Sequence, residues 1–322
     1  MDAKILQALR TEGFVSGEKL GQSLHISRTA VWKHIKDLRK QGYKIESSPR
    51  LGYCLVEATE LLLPDEIRNG LNTHVMGKKI IYCPEVNSTQ DMAAELAKSG
   101  TVEGTVVIAE RQTSGRGRKG RQWISSSEGG IYLSIVLRPC LTPLQTMQIP
   151  LITAVAVRKV ILQAARVDPQ IKWPNDILIS GKKVAGILTE MNCEMDMVNY
   201  VVLGIGLNVN TPVSILEQVP GGKASSIAIE CGERVSRVKL VQLLLNEFEN
   251  IYNEFQKKGF VSIREEWKSG SNTIGSRVKI SDGRNQNGIE GQALDIDENG
   301  FLLVRKNNGD LEKVISGEVS LN

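Results

Sequence analysis

Near the N-terminus, apolar residues recur with the 3.6-residue period of amphipathic helices. Residues 3–10 form the first such segment. Ser16 and Ser27 are placed to begin a second and a third helix, because a serine side chain accepts a hydrogen bond from a first-turn amide that lacks a helical partner. The third segment, SRTAVWKHIKDLRKQG, is predicted to end at Gly42. The pattern therefore predicts three short, consecutive helices.

The next run, YKIESSPRLGYCLV, alternates apolar and polar residues on both sides of a Pro-Arg-Leu-Gly turn, which predicts a β-hairpin. In the third helix Val31, Ile35 and Leu38 share one stripe that is expected to be buried. Three helices followed by a hairpin predict a winged helix-turn-helix over residues 1–60. In that architecture the third helix enters the major groove of DNA.

The charge distribution favours DNA as the partner of this segment. Residues 1–53 hold ten Lys or Arg against five Asp or Glu, a net +5, and the whole chain is only +4, so the remainder sums to −1. A basic segment on a nearly neutral body is typical of polyanion binding. The alternative is a small helical domain used for protein contacts. We expect Arg28 and Thr29 to contact bases, and Lys33, Lys36 and Arg50 to contact the DNA backbone.

From residue 65 to 270 the pattern changes to strands alternating with helices, which predicts a central α/β domain with a mixed or largely antiparallel sheet backed by helices. KKIIYC, TVVIAE, IYLSIVL and NYVVLGIGLNVN are predicted strands. NSTQDMAAELAKSG is predicted to be a helix that begins at Ser88, and LQTMQIPLITAVAVRKVILQAA a single long helix despite Pro150. DILIS and KKVAGILTEM are predicted to form a hairpin.

The last segment, 275–322, consists of short alternating runs separated by Gly, Asn and Asp turns. SRVKI, GIEGQALDI, GFLLVRK and LEKVISGEVSL are predicted to be its strands. They predict a small, SH3-like β-barrel that needs packing against the rest of the chain for stability. The fold class is therefore α+β, with three domains.

Composition narrows the chemistry. With 41% hydrophobic and 24% charged residues, and with no long apolar run or signal-peptide core, the chain is expected to be a cytoplasmic protein without a membrane anchor. Its five cysteines contain no CxxC pair, and its three histidines belong to no HExxH motif. A Ser-His-Asp hydrolase or a histidine-ligated zinc site is thus disfavoured. The chemistry must come from Lys, Arg, Asp, backbone amides or a bound metal.

One loop is unusually basic. The run RQTSGRGRKGR, from Arg111 to Arg121, holds five positive charges and three glycines and contains no acidic residue. Glycines let backbone amides approach an anion, and arginines bind phosphate or carboxylate oxygens with two hydrogen bonds. We expect this loop to repel itself when empty and to become ordered on an anion. A nucleic-acid patch or a solvated loop are the alternatives; the spacing is not that of a Walker A loop.

Two further motifs carry polar residues at strand ends. In KWPND, Asn175 and Asp176 are suited to a magnesium ion or a nucleotide, although for this motif taken alone an Asx turn closing a hairpin is the better explanation. In GKKVAGI, strand alternation places Lys183, Ala185 and Ile187 on one face and Lys182, Val184 and Gly186 on the other. Alternation alone does not decide which lysine faces the site.

Taken together, GRGRKGRQW, KWPNDI, GKKVAGI and GIGLNVN, with an upstream STQ turn, resemble the biotin–protein ligase family. With the winged helix in front, the whole chain is similar to the bifunctional ligase/repressors of that family. The resemblance implies synthesis of biotinyl-5′-AMP from biotin and ATP with Mg²⁺, and transfer of biotin to a lysine of a carrier protein. It also implies repression of biotin genes by a homodimer on operator DNA. A lipoate–protein ligase and a non-catalytic, biotin-sensing repressor remain alternatives.

The resemblance also implies roles for individual residues. It assigns contacts with biotin to Ser88, Thr89, Gln90 and Gln112. It assigns closure over biotin and the adenylate to Arg116, Gly117 and Arg118. Lys183 is implied beside the biotin carboxylate and the α-phosphate, Trp123 against adenine, and Asn208 near the nucleotide. Asn175 and Asp176 are implied in nucleotide and magnesium handling, and the catalytic group would be Lys183, Arg116, Arg118 and Asp176.

Overall fold

The structure is a computed structural model that describes residues 1–127, 129–195, 197–281 and 288–321. The chain divides into two compact units, Met1–Asp65 and Glu66–Asn322.

The first unit consists of three helices and a hairpin, as predicted. Its elements are α1 (Asp2–Glu12), α2 (Gly17–Leu24), α3 (Arg28–Lys40), β1 (Lys44–Ser48) and β2 (Gly52–Glu57). The Ser16 hydroxyl accepts a hydrogen bond from the Lys19 amide at 3.0 Å, and the Ser27 hydroxyl accepts one from the Ala30 amide at 3.1 Å. Both predicted caps are therefore confirmed. The predicted stripe of Val31, Ile35 and Leu38 lies in the core, and the unit is a helix-turn-helix domain with a β-hairpin.

The second unit begins within a short helix, α4 (Pro64–Arg68), and is built on a mixed sheet of seven strands. The strands are β3 (Ile80–Val86), β4 (Val106–Gln112), β5 (Gly130–Leu137), β6 (Gln170–Lys172), β7 (Asp176–Ile179), β8 (Lys182–Glu194) and β9 (Met197–Asn208). Their order in the sheet is β3-β4-β5-β9-β8-β7-β6. Only the β3–β4 pair is parallel among these described neighbours. The predicted mixed sheet is confirmed.

Helices pack around this sheet. They are α5 (Thr89–Lys98), α6 (Pro143–Thr146), α7 (Ile149–Ala165), α8 (Val213–Leu216), α9 (Ile227–Cys231), α10 (Arg237–Lys258) and α11 (Val261–Ser269). Helix α5 packs on β4, β5 and β9, and α7 packs against α10 and α11. The predicted cap at Ser88 is confirmed, because its hydroxyl accepts a hydrogen bond from the Asp91 amide at 3.3 Å.

The single long helix predicted around Pro150 was wrong. The segment is two helices, α6 and α7, and Pro150 is in the first turn of α7. A proline lacks the amide that a helix interior needs, but the first turn leaves that amide without a helical partner. By length and hydropathy alone, Pro143–Ala165 would suffice to cross a membrane, but 61% of its apolar window is buried inside the protein.

The chain ends in a small antiparallel sheet of five strands. They are β10 (Arg277–Ser281), β11 (Ile289–Ile296), β12 (Leu302–Lys306), β13 (Leu311–Val314) and β14 (Glu318–Leu321), in the order β13-β12-β11-β10-β14. The predicted single strand LEKVISGEVSL is two strands. They lie at opposite edges of the sheet, β13 beside β12 and β14 beside β10, so the chain must bend between them. Residues 282–287 and 322 of the predicted barrel lie outside the described residues.

Candidate functional site

Most of the residues assigned by resemblance meet in one pocket on the seven-stranded sheet. The pocket, together with the solvent-open space at its mouth, measures about 480 Å³. It is lined by Thr89, Gln90, Gln112, Arg116, Gly117, Arg118, Trp123, Asn175 and Lys183, together with residues of β5, β8 and β9. Three assigned residues do not line it. Asp176 lies beside it in contact with Lys183, Ser88 is buried as the cap of α5, and the Asn208 amide donates to the Ser225 carbonyl at 3.1 Å.

Glycines make the floor of the pocket flat. Gly186 and Gly206 are cross-strand partners in β8 and β9, and the Trp123 ring lies against both. A Cβ on Gly186 would lie 2.8 Å from Trp123 Cζ3, and one on Gly206 would lie 2.6 Å from Trp123 Cε2. Any side chain at either position would therefore displace the indole ring. These two glycines were not assigned from the sequence, although GKKVAGI and GIGLNVN contain them.

A β-bulge decides which lysine faces the pocket. Ile177 pairs with Ala185 but Leu178 pairs with Lys183, which leaves Val184 as the extra residue. Because β8 has one residue more than β7 at this point, the alternation of its side chains between the two faces of the sheet is reversed. Lys183 therefore lies on the same face as Gly186, contrary to the strict alternation expected from the sequence. Lys182 instead points to the surface, where its ammonium lies 3.2 Å from the Glu230 carboxylate.

Lys183 and Asp176 form the charged centre of the site. Lys183 Nζ lies 2.6 Å from Asp176 Oδ1 and 5.4 Å from the centre of the Trp123 ring. The contact has the distance of an ion pair but not the geometry of a hydrogen bond, and the buried Oδ1 atom accepts none from the described residues. A carboxylate oxygen of this kind suits Mg²⁺, which commonly takes one or two carboxylates and completes its shell with phosphates and water. The described residues contain no cluster of three or more His, Cys, Asp or Glu side chains.

A network of neutral polar groups forms the other end of the pocket. Gln112 Oε1 accepts hydrogen bonds from the Thr89 amide at 2.8 Å and the Thr89 hydroxyl at 3.1 Å. The Thr89 and Ser134 hydroxyls are 3.0 Å apart, and Ser134 donates to Gln90 Oε1 at 3.1 Å. Because these side chains hold one another in place, they present fixed donors and acceptors to a neutral polar ligand. Ser134, on β5, was not assigned from the sequence.

The basic loop is folded, and each of its positive charges has a partner. Gly117 donates its amide to the Arg121 carbonyl at 2.7 Å, and Trp123 donates its amide to the Gly115 carbonyl at 2.8 Å. The charged contacts are Arg111 with Glu85, Arg116 with Asp91 and Glu190, Arg118 with Asn175, Lys119 with the Ser281 carbonyl, and Arg121 with Glu318. Carboxylates that are remote in sequence thus offset the charges of Arg111, Arg116 and Arg121, whereas Arg118 and Lys119 contact neutral oxygens.

Burial lowers the pKa of two cations at the site, Arg118 in the pocket and Lys172 beside Asp176. It lowers the pKa of the Arg118 guanidinium, although Asp176 and Glu318 act in the opposite direction. It also lowers the pKa of Lys172, which lies directly across the β6–β7 pair from Asp176. Lys172 was not assigned from the sequence, although it begins the KWPND motif. Burial likewise raises the pKa of Tyr132 to about 12, so this phenol stays protonated near neutral pH.

The residues predicted to contact DNA are all accessible. Arg28, Thr29, Lys33 and Lys36 are exposed on α3, and Arg50 is exposed in the β1–β2 turn. Trp32 is also exposed on α3, and it was not assigned from the sequence.

Three protein-family models match this chain and define its class. The model of the Biotin/lipoate A/B protein ligase family matches residues 82–208, that of an HTH domain matches 3–54, and that of the Biotin protein ligase C terminal domain matches 273–322. The biotin protein ligase from Aquifex aeolicus, solved in complex with biotin and ATP, is 29% identical. It superposes with a TM-score of 0.64 and covers 76% of this chain and 99% of its own.

Two curated relatives match nearly the whole chain. The bifunctional ligase/repressor BirA of Bacillus subtilis is 43% identical over 309 residues, which are 96% of this chain and 94% of the relative. BirA of Escherichia coli is 30% identical over 319 residues, which are 99% of this chain and 96% of the relative. The chain belongs to the family of bifunctional biotin ligase/repressors.

Proposed function

We propose that this protein joins biotin to ATP to form biotinyl-5′-AMP and then transfers biotin to a lysine of a carrier protein, such as a biotin carboxyl carrier. The observation that carries the proposal is a pocket in which Lys183, Asp176 and Arg118 border a flat glycine floor. The charged side of the pocket is suited to bind a phosphate group. The neutral network of Thr89, Gln90 and Gln112 is suited to bind the neutral ring of biotin.

In the first half-reaction the biotin carboxylate attacks the α-phosphorus of ATP, an acyl–phosphate bond forms, and pyrophosphate leaves. Two anions must approach each other, so positive groups that contact both lower the barrier. Lys183 and Arg118 are proposed for this role. Arg118 donates to the neutral Asn175 amide at 2.7 Å, so that hydrogen bond does not neutralise its charge. Arg116 must exchange Asp91 and Glu190 for the ligand before it can contribute.

Asp176 is the residue proposed to hold Mg²⁺, with Asn175 beside it. When bound, the ion would supply further positive charge to the phosphates. Trp123 is proposed to pack on the adenine. Ser88 and Asn208 are proposed to act indirectly, Ser88 by holding the turn that carries Thr89, and Asn208 by holding the end of β9.

In the second half-reaction the carrier lysine attacks the acyl carbon of biotinyl-5′-AMP, an amide forms and AMP leaves. The attacking amine must lose a proton, and the Asp176 carboxylate is proposed to accept it. No histidine base is needed in the first step, because the biotin carboxylate is already a nucleophile near neutral pH, and in the second step Asp176 takes the place of one.

The same chain is proposed to repress transcription. Residues 1–60 would bind operator DNA, residues 65–270 would carry catalysis, and residues 275–322 would form the small barrel. Biotinyl-5′-AMP in the pocket would favour a homodimer that pairs two DNA-binding domains, because a ligand shifts an equilibrium toward the state it binds better. A dimerisation constant that biotin and ATP leave unchanged in sedimentation would rule out this coupling. We propose that the protein is located in the cytoplasm.

The ligase function is tested by pyrophosphate release from ATP and Mg²⁺ with biotin, with lipoate and with neither acid. Release with biotin alone is expected. Release with lipoate would move the substrate assignment to the other branch of the biotin/lipoate family while preserving the mechanism. Tight biotin binding without release would indicate a sensor-repressor that does no chemistry.

A further inference from the structure

Trp32 is a large aromatic side chain that the helix-turn-helix core does not use. It lies on α3 between the buried Val31 and the buried Ile35, yet it is 52% exposed and is not part of the core cluster. Helical spacing places it on the flank of the buried stripe, next to Thr29 and Lys36, which point away from the core. Its ring therefore belongs to the exposed, basic face of the helix.

The ring is held by one neighbour on that face. Lys36 Nζ lies 5.3 Å from the centre of the Trp32 ring, within the range of a cation–π contact. This contact places the flat, apolar indole ring next to a positive charge one turn farther along the helix. A surface that presents both is suited to a ligand with an apolar group close to a negative charge.

The major groove of DNA offers that combination. The C5-methyl of thymine is the apolar group on the major-groove edge of the base pairs, and the phosphates line the groove. In helix-turn-helix domains the N-terminal part of the third helix reaches base edges. Trp32 lies in the second turn of α3, close enough to that end to share the groove with Arg28 and Thr29.

We propose that Trp32 is a specificity-determining residue that lays its indole ring against a thymine methyl group, while Lys36 contacts a neighbouring phosphate. This proposal rests on the proposed binding of operator DNA. It predicts that the recognised sequence contains at least one thymine per half-site whose methyl group, and not only its hydrogen-bonding edge, contributes to affinity.

The test uses the full chain with biotin, ATP and Mg²⁺. Duplexes are selected from a random pool by the wild-type protein, and each thymine of the selected sequence is then replaced by uracil, which lacks only the methyl group. We expect one replacement per half-site to weaken binding about fourfold, the value of one buried methyl group. Trp32→Ala should bind the thymine and uracil duplexes equally and no more tightly than the wild type binds the uracil duplex.

Two matched variants separate the contributions. Phe14→Ala removes another exposed aromatic, 42% accessible and outside α3, and should keep the preference for thymine. Lys36→Met keeps an apolar stem but loses the charge. It should reduce the slope of log affinity against log salt by about one, while a preference for thymine remains. Circular dichroism and the melting temperature of each variant confirm that the domain is folded.

Two results would overturn the proposal. If Trp32→Ala weakened binding to the thymine and uracil duplexes by the same factor, the ring would pack on the sugar–phosphate backbone and would read no base. If it left both affinities unchanged, the ring would lie outside the interface. Selection of no sequence by the wild-type chain would be a different failure, because it would remove the DNA-binding function itself.

Discussion

The ammonium of Lys183 lies 2.6 Å from the carboxylate of Asp176, across the β7–β8 pair. Both groups are partly buried, so each holds the other's charge in the ligand-free pocket. A phosphate group entering the pocket competes with Asp176 for Lys183. We therefore expect nucleotide binding to separate the pair and to leave the carboxylate available to a metal ion.

Replacing Lys183 by alanine should slow formation of biotinyl-5′-AMP at least tenfold. The variant loses a positive charge that the two reacting anions need, a loss of roughly 1.4 kcal/mol or more in the transition state. Lys182→Ala is the matched control, because Lys182 pairs with Glu230 at the surface and should leave the rate unchanged. Single-turnover rates measure both. Equal rates for wild type and Lys183→Ala would remove Lys183 from the mechanism.

Replacing Lys172 by methionine should raise the KM for ATP roughly tenfold, because Lys172 faces Asp176 and its charge suits the outer phosphates. Transfer of biotin from isolated biotinyl-5′-AMP to the carrier should be unaffected, since that step involves no pyrophosphate. A variant that is impaired in both half-reactions would instead point to a structural role for Lys172.

The lowered pKa of Lys172 predicts that protons are taken up when ATP binds. Burial lowers this pKa in the free protein, and a bound triphosphate favours the protonated amine and so raises it. Between the two pKa values, ATP binding must therefore take up protons. Calorimetry in buffers of different ionisation enthalpy should detect this uptake at alkaline pH in the wild type, and less of it in Lys172→Met.

Replacing Gly206 by alanine should weaken biotin binding about tenfold or more, because the added Cβ would lie 2.6 Å from the Trp123 ring and push it into the pocket. The Gly206→Ala, Trp123→Ala double variant should regain part of the affinity, since no ring remains to be displaced. Titration calorimetry with biotin is the measurement. A double variant weaker than Gly206→Ala would show that the ring is not the group in conflict.

Removing residues 1–60 should abolish operator binding and preserve biotin transfer. The first unit has its own core of Ile5, Leu9, Val31 and Ile35, and the pocket is built entirely from the second unit. Electrophoretic shifts and transfer assays on the truncated chain provide the comparison. A truncated protein that still shifts operator DNA would contradict this division of labour.

Local structure was the part of this molecule that the sequence predicted well. Ser16, Ser27 and Ser88 cap helices because capping depends on residues only three positions apart. The bulge at Val184 was not predicted, because it depends on how β8 pairs with β7, and strict alternation would have turned Lys183 away from Gly186. The break before α7 was missed for a different, local reason, since a proline is compatible with both a helix start and a kink.

The site could be predicted from motifs only in part. Resemblance assigned Lys183, Arg118 and Gln112, which the fold brings into one pocket. Motifs did not reveal the partners of the basic loop, because Glu190 and Glu318 lie far along the chain from the arginines they contact. Long-range pairing of this kind follows from the fold and not from residue spacing.

Trp173 of the KWPND motif is hydrogen-bonded to the C-terminal part of the chain. The Trp173 amide donates to the Thr273 hydroxyl at 3.0 Å, and its indole nitrogen donates to the Gly300 carbonyl at 3.0 Å in the turn between β11 and β12. Two residues farther along, Asn175 accepts the hydrogen bond of Arg118. A substitution in that distant turn would therefore behave in a kinetic assay as an active-site mutation. Natural variation there should be constrained by nucleotide chemistry as much as by the stability of the small sheet.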